Sequence, residues 1–261
     1  MTTTDLDGRV AIVTGGGSGI GRATALALGR AGATVAVADL DGDAAEAVVA
    51  EAGGGLAVTI DVTDAGACAD LVARVQRELG RLDVLHANAG VALVGQDGFS
   101  PDIEPAAWAR VIAVNLSGIF HCIRPAIPAM AATGGGSIIA TASSMSTVPL
   151  GGMDAYAASK AGVVGLVKSA SVGAARLNVR INAIAPGYVD TPMNELIWGN
   201  DEVKEAFALG HATGLQTAEE IADIVVFLAS DASRSLTGAL LTCDRGWTSF
   251  KQPDLLRRLL G

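Results

Sequence analysis

The first apolar run of this chain, Arg9-Val10-Ala11-Ile12-Val13, stops at Thr14-Gly15-Gly16-Gly17-Ser18-Gly19-Ile20-Gly21, and apolar residues then recur at helical spacing at Ile20, Ala23, Ala27 and Leu28. Strand, glycine-rich turn and helix follow one another without a spacer. A glycine-rich turn that opens a helix lets backbone N–H groups approach a pyrophosphate and sets the positive end of the helix beside it. Strand-type runs recur at 34–38, 56–60, 83–87, 137–141, 179–184 and 239–242, separated by helical patterns. The alternation predicts an α/β fold, a doubly wound parallel seven-stranded sheet in the order 3-2-1-4-5-6-7 with helices on both faces. No repeat, low-complexity linker or composition shift divides the chain, so 1–261 is expected to form one domain.

The second run, Thr34-Val35-Ala36-Val37-Ala38, ends in Asp39, eighteen residues after Gly21. An acidic side chain there can accept hydrogen bonds from the ribose hydroxyls of an adenosine and would repel a 2′-phosphate, which points to NAD rather than NADP. A helix N-cap or a turn aspartate is the other reading of Asp39. The fourth run ends in Asn88-Ala89-Gly90, small enough for a cofactor to lie against the backbone.

The fifth run, Ser137-Ile138-Ile139-Ala140-Thr141, leads into a hydroxyl-rich turn at Ser143 and Ser144, and a helical pattern begins near Asp154. Tyr156 and Lys160 stand four apart, on one face of that helix. A phenol, with a pKa of about 10 when unperturbed, can exchange an alcohol's proton if its pKa is pulled toward the working pH, and a neighbouring ammonium favours phenolate. Lys160 could supply that charge while Ser143 holds the substrate oxygen. Solvated helix surface is the alternative for such a pair taken alone.

Together Thr14–Gly21, Asn88-Ala89-Gly90, Asn115, Ser143, Tyr156, Lys160, and Pro186-Gly187 followed by Thr191 stand in an order and spacing that resembles the classical short-chain dehydrogenase/reductase family, over roughly residues 8–248. Ser143 takes the serine role because it lies thirteen residues before Tyr156. The resemblance implies a Rossmann-type sheet and a catalytic set of Asn115, Ser143, Tyr156 and Lys160, with Asn115 bending its helix and holding a water that joins the lysine to solvent. A satisfied structural amide is the other reading of Asn115. The implied cofactor contacts are Gly15, Ser18, Gly19, Ile20, Gly21, Asp39, Leu40, Asp61, Val62, Asn88, Ala89, Gly90, Tyr156, Lys160, Pro186, Gly187, Val189 and Thr191. Asp61 and Val62 would flank the adenine, and Val189 and Thr191 would meet the nicotinamide carboxamide. Gly16, Gly17 and Leu40 fill places where NADP-binding members often carry a basic residue. His86-Ala87 replaces an asparagine common in the family. Arg245, in Asp244-Arg245-Gly246, stands where the family usually has glycine and needs a permissive backbone or a changed turn.

Residues 193–214 take the place of the family's substrate lid. Met193, Leu196, Ile197 and Trp198, with Tyr188 and with Met145, Val148 and Leu150 from the opposite wall, are the expected lining of an apolar substrate pocket; Trp198 could equally pack the lid onto the core. No Arg or Lys occurs between Tyr188 and Val203 to clamp a carboxylate or phosphate. The 106–130 segment reads as one long helix that Pro125 and Pro128 should kink or end, and 91–105 as a surface loop. The small residues of 155–177 allow packing on the sheet, or a subunit interface as in the family's tetramers, so a homotetramer is expected. The 249–261 extension runs past the family's usual end, with docking on a neighbouring subunit as one use for it.

A net charge of -9 excludes a surface built for nucleic acid or anionic membrane and leaves a small molecule as the expected partner. No uncharged stretch reads as a membrane span, and the amino terminus has neither basic nor apolar signal regions, so a cytoplasmic location is expected. Three dispersed cysteines read as buried thiols, and neither they nor the three histidines have metal spacing; no metal is expected. The reading is an NAD-dependent oxidoreductase interconverting an uncharged, hydrophobic secondary alcohol, cyclic ones included, with its ketone. A 3-oxoacyl-(acyl carrier protein)-type reductase and a non-catalytic dinucleotide sensor are the rivals.

Overall fold

The computed structural model of the chain describes residues 4–195 and 199–249. Strands β1 (Val10–Thr14), β2 (Thr34–Asp39), β3 (Gly55–Thr59), β4 (Val84–Ala87), β5 (Gly136–Thr141), β6 (Val179–Pro186) and β7 (Leu240–Cys243) form one parallel sheet in the order β3-β2-β1-β4-β5-β6-β7. That is the expected order. It reverses direction beside β1, so the loops leaving β1 and β4 diverge and open a crevice at the strands' carboxyl ends.

Helices α1 (Gly19–Arg30), α2 (Gly42–Glu51), α3 (Ala65–Leu79), α4 (Pro105–Ile112), α5 (Gly118–Ala132), α6 (Asp154–Ala175), α7 (Asp201–Leu209) and α8 (Ala218–Ala229) cover it. Strand side chains alternate between faces and both faces are buried. Ala11 and Val13 pack with Leu28 of α1, Val48 of α2 and Val225 of α8. Val10 and Ile12 join Leu71 of α3, Ile123 of α5 and Val167 of α6. Each such large aliphatic residue contributes about 1.5–3 kcal/mol by leaving water. Cys68 on α3 and Cys122 on α5, far apart in sequence, meet in the second layer with sulfurs 3.7 Å apart.

The helix ends show which termini are closed. Asp41 caps α2 through the Ala44 N–H, Asp64 caps α3 through Gly66 and Ala67, and Thr217 with Glu220 forms a capping box on α8. Ser18, at the N-cap of α1, makes no such bond. The first-turn N–H groups of α1 are therefore left to face the crevice. Gly15 turns at φ 63°, and a Cβ on Gly21 would collide with the Gly15 carbonyl, so both positions demand glycine.

Residues Pro105–Ala132 form a continuous 28-residue helical run apolar enough to span a bilayer by composition, yet Val111, Val114, Ile119, Ile123, Ala126 and Met130 are buried in the protein core. Of the two expected effects, Pro125 and Pro128 do not end this helix, which continues to Ala132. Losing one or two N–H donors is offset by the buried face on the sheet. The irregularity lies earlier, in a π turn over Ala113–Ser117 that contains Asn115.

His86 on β4 is fully buried. Its Nε2 lies 2.9 Å from the Thr141 hydroxyl, which itself donates to Asn88 Oδ1 at 3.1 Å, so Nε2 must carry the proton. The Asn88 amide then donates to the carbonyls of Thr14 and Gly15, at 3.2 and 3.4 Å. Burial, then the charge of Lys160, hold the His86 pKa down at about 3. The folded protein thus prefers neutral His86: its contribution is complete above about pH 6.5 and is lost as pH falls toward about 3. We expect denaturant titrations between about pH 6 and pH 5 to show wild-type stability falling faster than that of His86→Asn, by about 1 kcal/mol per pH unit. Equal slopes would show that His86 is protonated in the fold.

Candidate active site

Helix α6 carries Tyr156 and Lys160, and its start is fixed from a distance. Met153 at its N-cap makes no side-chain bond. Instead buried Asp97, from the loop after β4, accepts from the N–H groups of Ala155 and Tyr156 at 3.0 and 2.8 Å. A carboxylate at this end also complements the helix dipole. Asp154 ties the same loop again through Ser100, and its own N–H donates to the Gly98 carbonyl. The 91–105 segment is thus more than a surface loop. It seats the first turn of α6.

Ser143 lies just past β5, where its hydroxyl accepts from the Met145 N–H at 3.2 Å and is close enough to Tyr156 to favour its phenolate. Lys160 Nζ donates to the Thr141 carbonyl at 2.8 Å and stands 5.7 Å from the Tyr156 ring centroid. Burial pulls Lys160 down to about 8. The same burial raises Tyr156, and the group opposing it is Ser143. In the protein alone, desolvation sets the direction for the Tyr156 phenol.

Asn115 is fully buried behind these residues. Its Oδ1 accepts from the Val91 N–H at 2.8 Å, and its amide donates to the Val91 carbonyl at 2.9 Å and to Ser159 at 3.2 Å. The amide is satisfied by protein groups and joins the π turn to α6. A Cβ on Gly90 would stand 3.3 Å from Asn115 Oδ1 and 3.4 Å from Lys160 Nζ, so both approach bare backbone here.

One cavity of about 560 Å³ runs along the crevice. Its walls include Ser143, Tyr156 and Lys160 and all the expected cofactor contacts except Gly21, which lies beneath the turn against Gly15 and Asn88. The open N–H groups of α1, the bare backbone of Gly15 and Gly19, and the carboxylates of Asp39 and Asp61 fit a dinucleotide. Asp41, not Asp39, caps α2; Asp39 Oδ1 accepts from the Asp41 N–H at 3.0 Å and Oδ2 from Gly17 at 2.8 Å, which fixes its carboxylate on the cavity wall. Hydrogen bonds from Thr63, then Arg110, hold Asp61 below its usual range. Arg110, 3.6 Å from Asp61, also lines the cavity. Nothing in the sequence marked it, since its partner is some fifty residues away.

The other end is apolar. Met145, Leu150, Tyr188 and Met193 line it as expected, joined by Met153 and Phe207. Val148 does not: it is 47% exposed and outside the cavity, because the 3₁₀ turn at Ser144–Ser146 turns it to solvent. Leu196, Ile197 and Trp198 lie outside the described residues. Among the described lining residues the only cations are Arg110 and Lys160, one held by Asp61 and the other by the Thr141 carbonyl.

The family described as Enoyl-(Acyl carrier protein) reductase matches residues 15–248. Cis-4-hydroxycyclohexanecarboxylate dehydrogenase of Sinomonas cyclohexanicum is 41% identical, over 92% of this chain and 97% of that protein. The 3-oxoacyl-(acyl-carrier-protein) reductase FabG of Thermotoga maritima is 36% identical over 92% and 98%, and the cyclohexanol dehydrogenase of Acinetobacter sp. is 36% identical over 95% and 98%. A short-chain type dehydrogenase/reductase from Mycobacterium marinum has a solved structure that superposes with a TM-score of 0.88, at 32% identity, over 95% of this chain and 98% of that one. Glycine turn, sheet order and these matches along nearly the whole length agree, and the chain belongs to the classical short-chain dehydrogenase/reductase family of oxidoreductases.

Proposed function

We propose that the protein is an NAD-dependent dehydrogenase that interconverts an uncharged, hydrophobic secondary alcohol, cyclic ones included, with its ketone. The observation that carries this reading is the grouping of Ser143, Tyr156 and Lys160 on one cavity wall, with the glycine turn, Asp39 and Asp61 toward one end and Met145, Leu150 and Met193 toward the other. The nicotinamide, when bound, supplies or accepts the hydride. Ser143 holds the substrate oxygen, and the Tyr156 hydroxyl exchanges its proton. Lys160 favours the phenolate and binds ribose, with Asn115 completing a proton relay. Met145, Leu150, Tyr188, Met193 and Phe207 take the hydrocarbon part and exclude water. Residues 193–214 act as its lid.

Asp39 supports NAD, since a 2′-phosphate would meet its fixed carboxylate. The two cycloalkanol dehydrogenases among the relatives support a cyclic substrate. The absence of an uncommitted cation among the described lining residues favours an uncharged alcohol over the carboxylate that the Sinomonas relative is named for. A 3-oxoacyl thioester reductase is the second reading, favoured by the FabG relative. Asp39 and the net charge of -9, unsuited to docking an acidic carrier, weigh against it. Exposed Trp108, Phe120 and Val172 on α4, α5 and α6 support the homotetramer, and a monomer in analytical ultracentrifugation would remove it.

Absorbance at 340 nm with purified protein, NAD or NADP, and linear and cyclic secondary alcohols tests this reading. Turnover is expected with NAD and apolar alcohols; turnover confined to NADPH and acyl thioesters would replace it with the second. Tyr156→Phe is expected to lower kcat by about 10²–10⁴-fold. Because burial raises the Tyr156 pKa, alcohol oxidation should rise with pH into the alkaline range in the wild type, and that rise should vanish in the variant. Unchanged turnover would remove Tyr156 as the acid/base, and no turnover by the wild type with either cofactor would return the protein to the sensor reading. For Asp39→Ala, the ratio of kcat/KM for NAD over NADP should fall by about tenfold or more, the loss of one charge-assisted contact and of the repulsion of phosphate; a constant ratio would remove Asp39 as the selector.

A further inference from the structure

The apolar end of the cavity is closed by Tyr188, after β6, and Phe207, on α7, whose ring centroids lie 4.2 Å apart. Their backbones are joined by one buried side chain. His211 Nε2 is 3.2 Å from the Tyr188 N–H, and its Nδ1 is 2.7 Å from the Phe207 carbonyl. An amide N–H only donates and a carbonyl only accepts, so the ring must be neutral with its proton on Nδ1. A second proton would have to go on Nε2, where it would point at the Tyr188 N–H.

Resting on the dehydrogenase reading above, we propose that His211 is a positioning residue: in its neutral form it fastens α7 to the Tyr188 segment and so sets the substrate wall, which loosens when the ring is protonated.

The surroundings are built for the ring. A Cβ on Gly187 would stand 2.7 Å from Nε2, so the imidazole lies against bare backbone. Trp247 packs on it at 4.8 Å and 32°, and also stacks on Phe207 and meets Tyr188 edge-on. Burial, the largest influence, lowers the His211 pKa; the Phe207 carbonyl and Asp244 oppose this, and Arg245 adds to it. The native ring therefore stays neutral through about pH 6.5 and takes up its proton only at a lower pH than a free imidazole.

The segment after His211 is held by a separate set of hydrogen bonds and one ion pair. Arg245 takes φ 46°, the permissive backbone its position required, and its carbonyl accepts from Ala212 at 2.8 Å. Its guanidinium donates to the carbonyls of Thr213 and Leu215 at 2.7 and 2.8 Å and pairs with Glu220. The Thr217 N–H and Arg245 hold Glu220 below the usual carboxylate range. Asp244 is bound by Gly246 and Thr248. The loosening is therefore confined to the wall between Tyr188 and Phe207.

The test compares wild type, His211→Gln and His211→Leu between about pH 7 and pH 5. Glutamine can accept from Tyr188 and donate to Phe207 but does not titrate. The KM for an apolar secondary alcohol should rise several-fold on acidification in the wild type and stay level in His211→Gln, while the KM for NAD follows the same course in both. His211→Leu should show the raised alcohol KM already at neutral pH. Parallel alcohol KM profiles for wild type and His211→Gln, or an unchanged KM in His211→Leu, would overturn the proposal. Ring ¹⁵N NMR and amide hydrogen exchange give a readout that needs no substrate. The Nδ1–H tautomer, and exchange of the 207–211 amides that accelerates at low pH only in the wild type beyond the intrinsic rate, are expected. The Nε2–H tautomer or equal exchange would overturn the anchor. An intact anchor with no alcohol turnover would remove the substrate role and the dehydrogenase reading together, leaving only the contact.

Discussion

Thr141 is the point through which the crevice is held together. Its hydroxyl passes a hydrogen bond from His86 to Asn88 and so to the carbonyls of the glycine turn, while its carbonyl receives the ammonium of Lys160. One residue at the end of β5 thus links the phosphate-binding turn of β1 to the face of α6. In a buried, low-dielectric place each of these bonds is strong when made and costly when missing. That is why a neutral histidine and a lysine drawn down to about 8 can both stand beside the same threonine.

Backbone geometry follows from the same need. α1 has an open N-terminus because its turn must offer N–H groups to a ligand, whereas α2, α3 and α8 close theirs with their own side chains. α6 is the intermediate case, closed by a carboxylate from another loop. A helix whose cap comes from Asp97 keeps its first turn aligned with the loop after β4, and that loop borders the cavity at Val91, Ala92 and Val94. Position of Tyr156 and shape of the pocket are then set by one contact.

Much of this was legible in the sequence because it is local. The apolar runs at 34–38 and 137–141, the glycine turn, and the four-residue step from Tyr156 to Lys160 are short-range signals, and together with the family resemblance they led to the sheet order and to the cavity lining. What escaped is long-range. Asp97 caps a helix 58 residues away, Arg110 answers Asp61, and His211 joins two residues of which one is 23 positions off. Val148 was misplaced because the 3₁₀ turn ahead of it leaves its side chain exposed, which residue type alone does not show. The prolines of α5 misled because propensity weighs one lost bond and cannot see the sheet beneath. Tyr156 escaped differently: desolvation of a ring depends on everything packed around it, which no spacing reveals.

The π turn at Ala113–Ser117 makes the chain's length, and not only its composition, a fixed quantity in this region. A π turn accommodates one residue more than an α turn. Removing a residue there would restore ordinary pitch and swing α5 by about 100° relative to α4. Ile119, Ile123 and Met130 would leave the sheet, and Asn115 would lose Val91. The extra residue also brings Trp108 and Phe120, twelve apart and otherwise about 120° out of step, to nearly the same side of the helical run. Insertions and deletions are therefore barred from the middle of this helix.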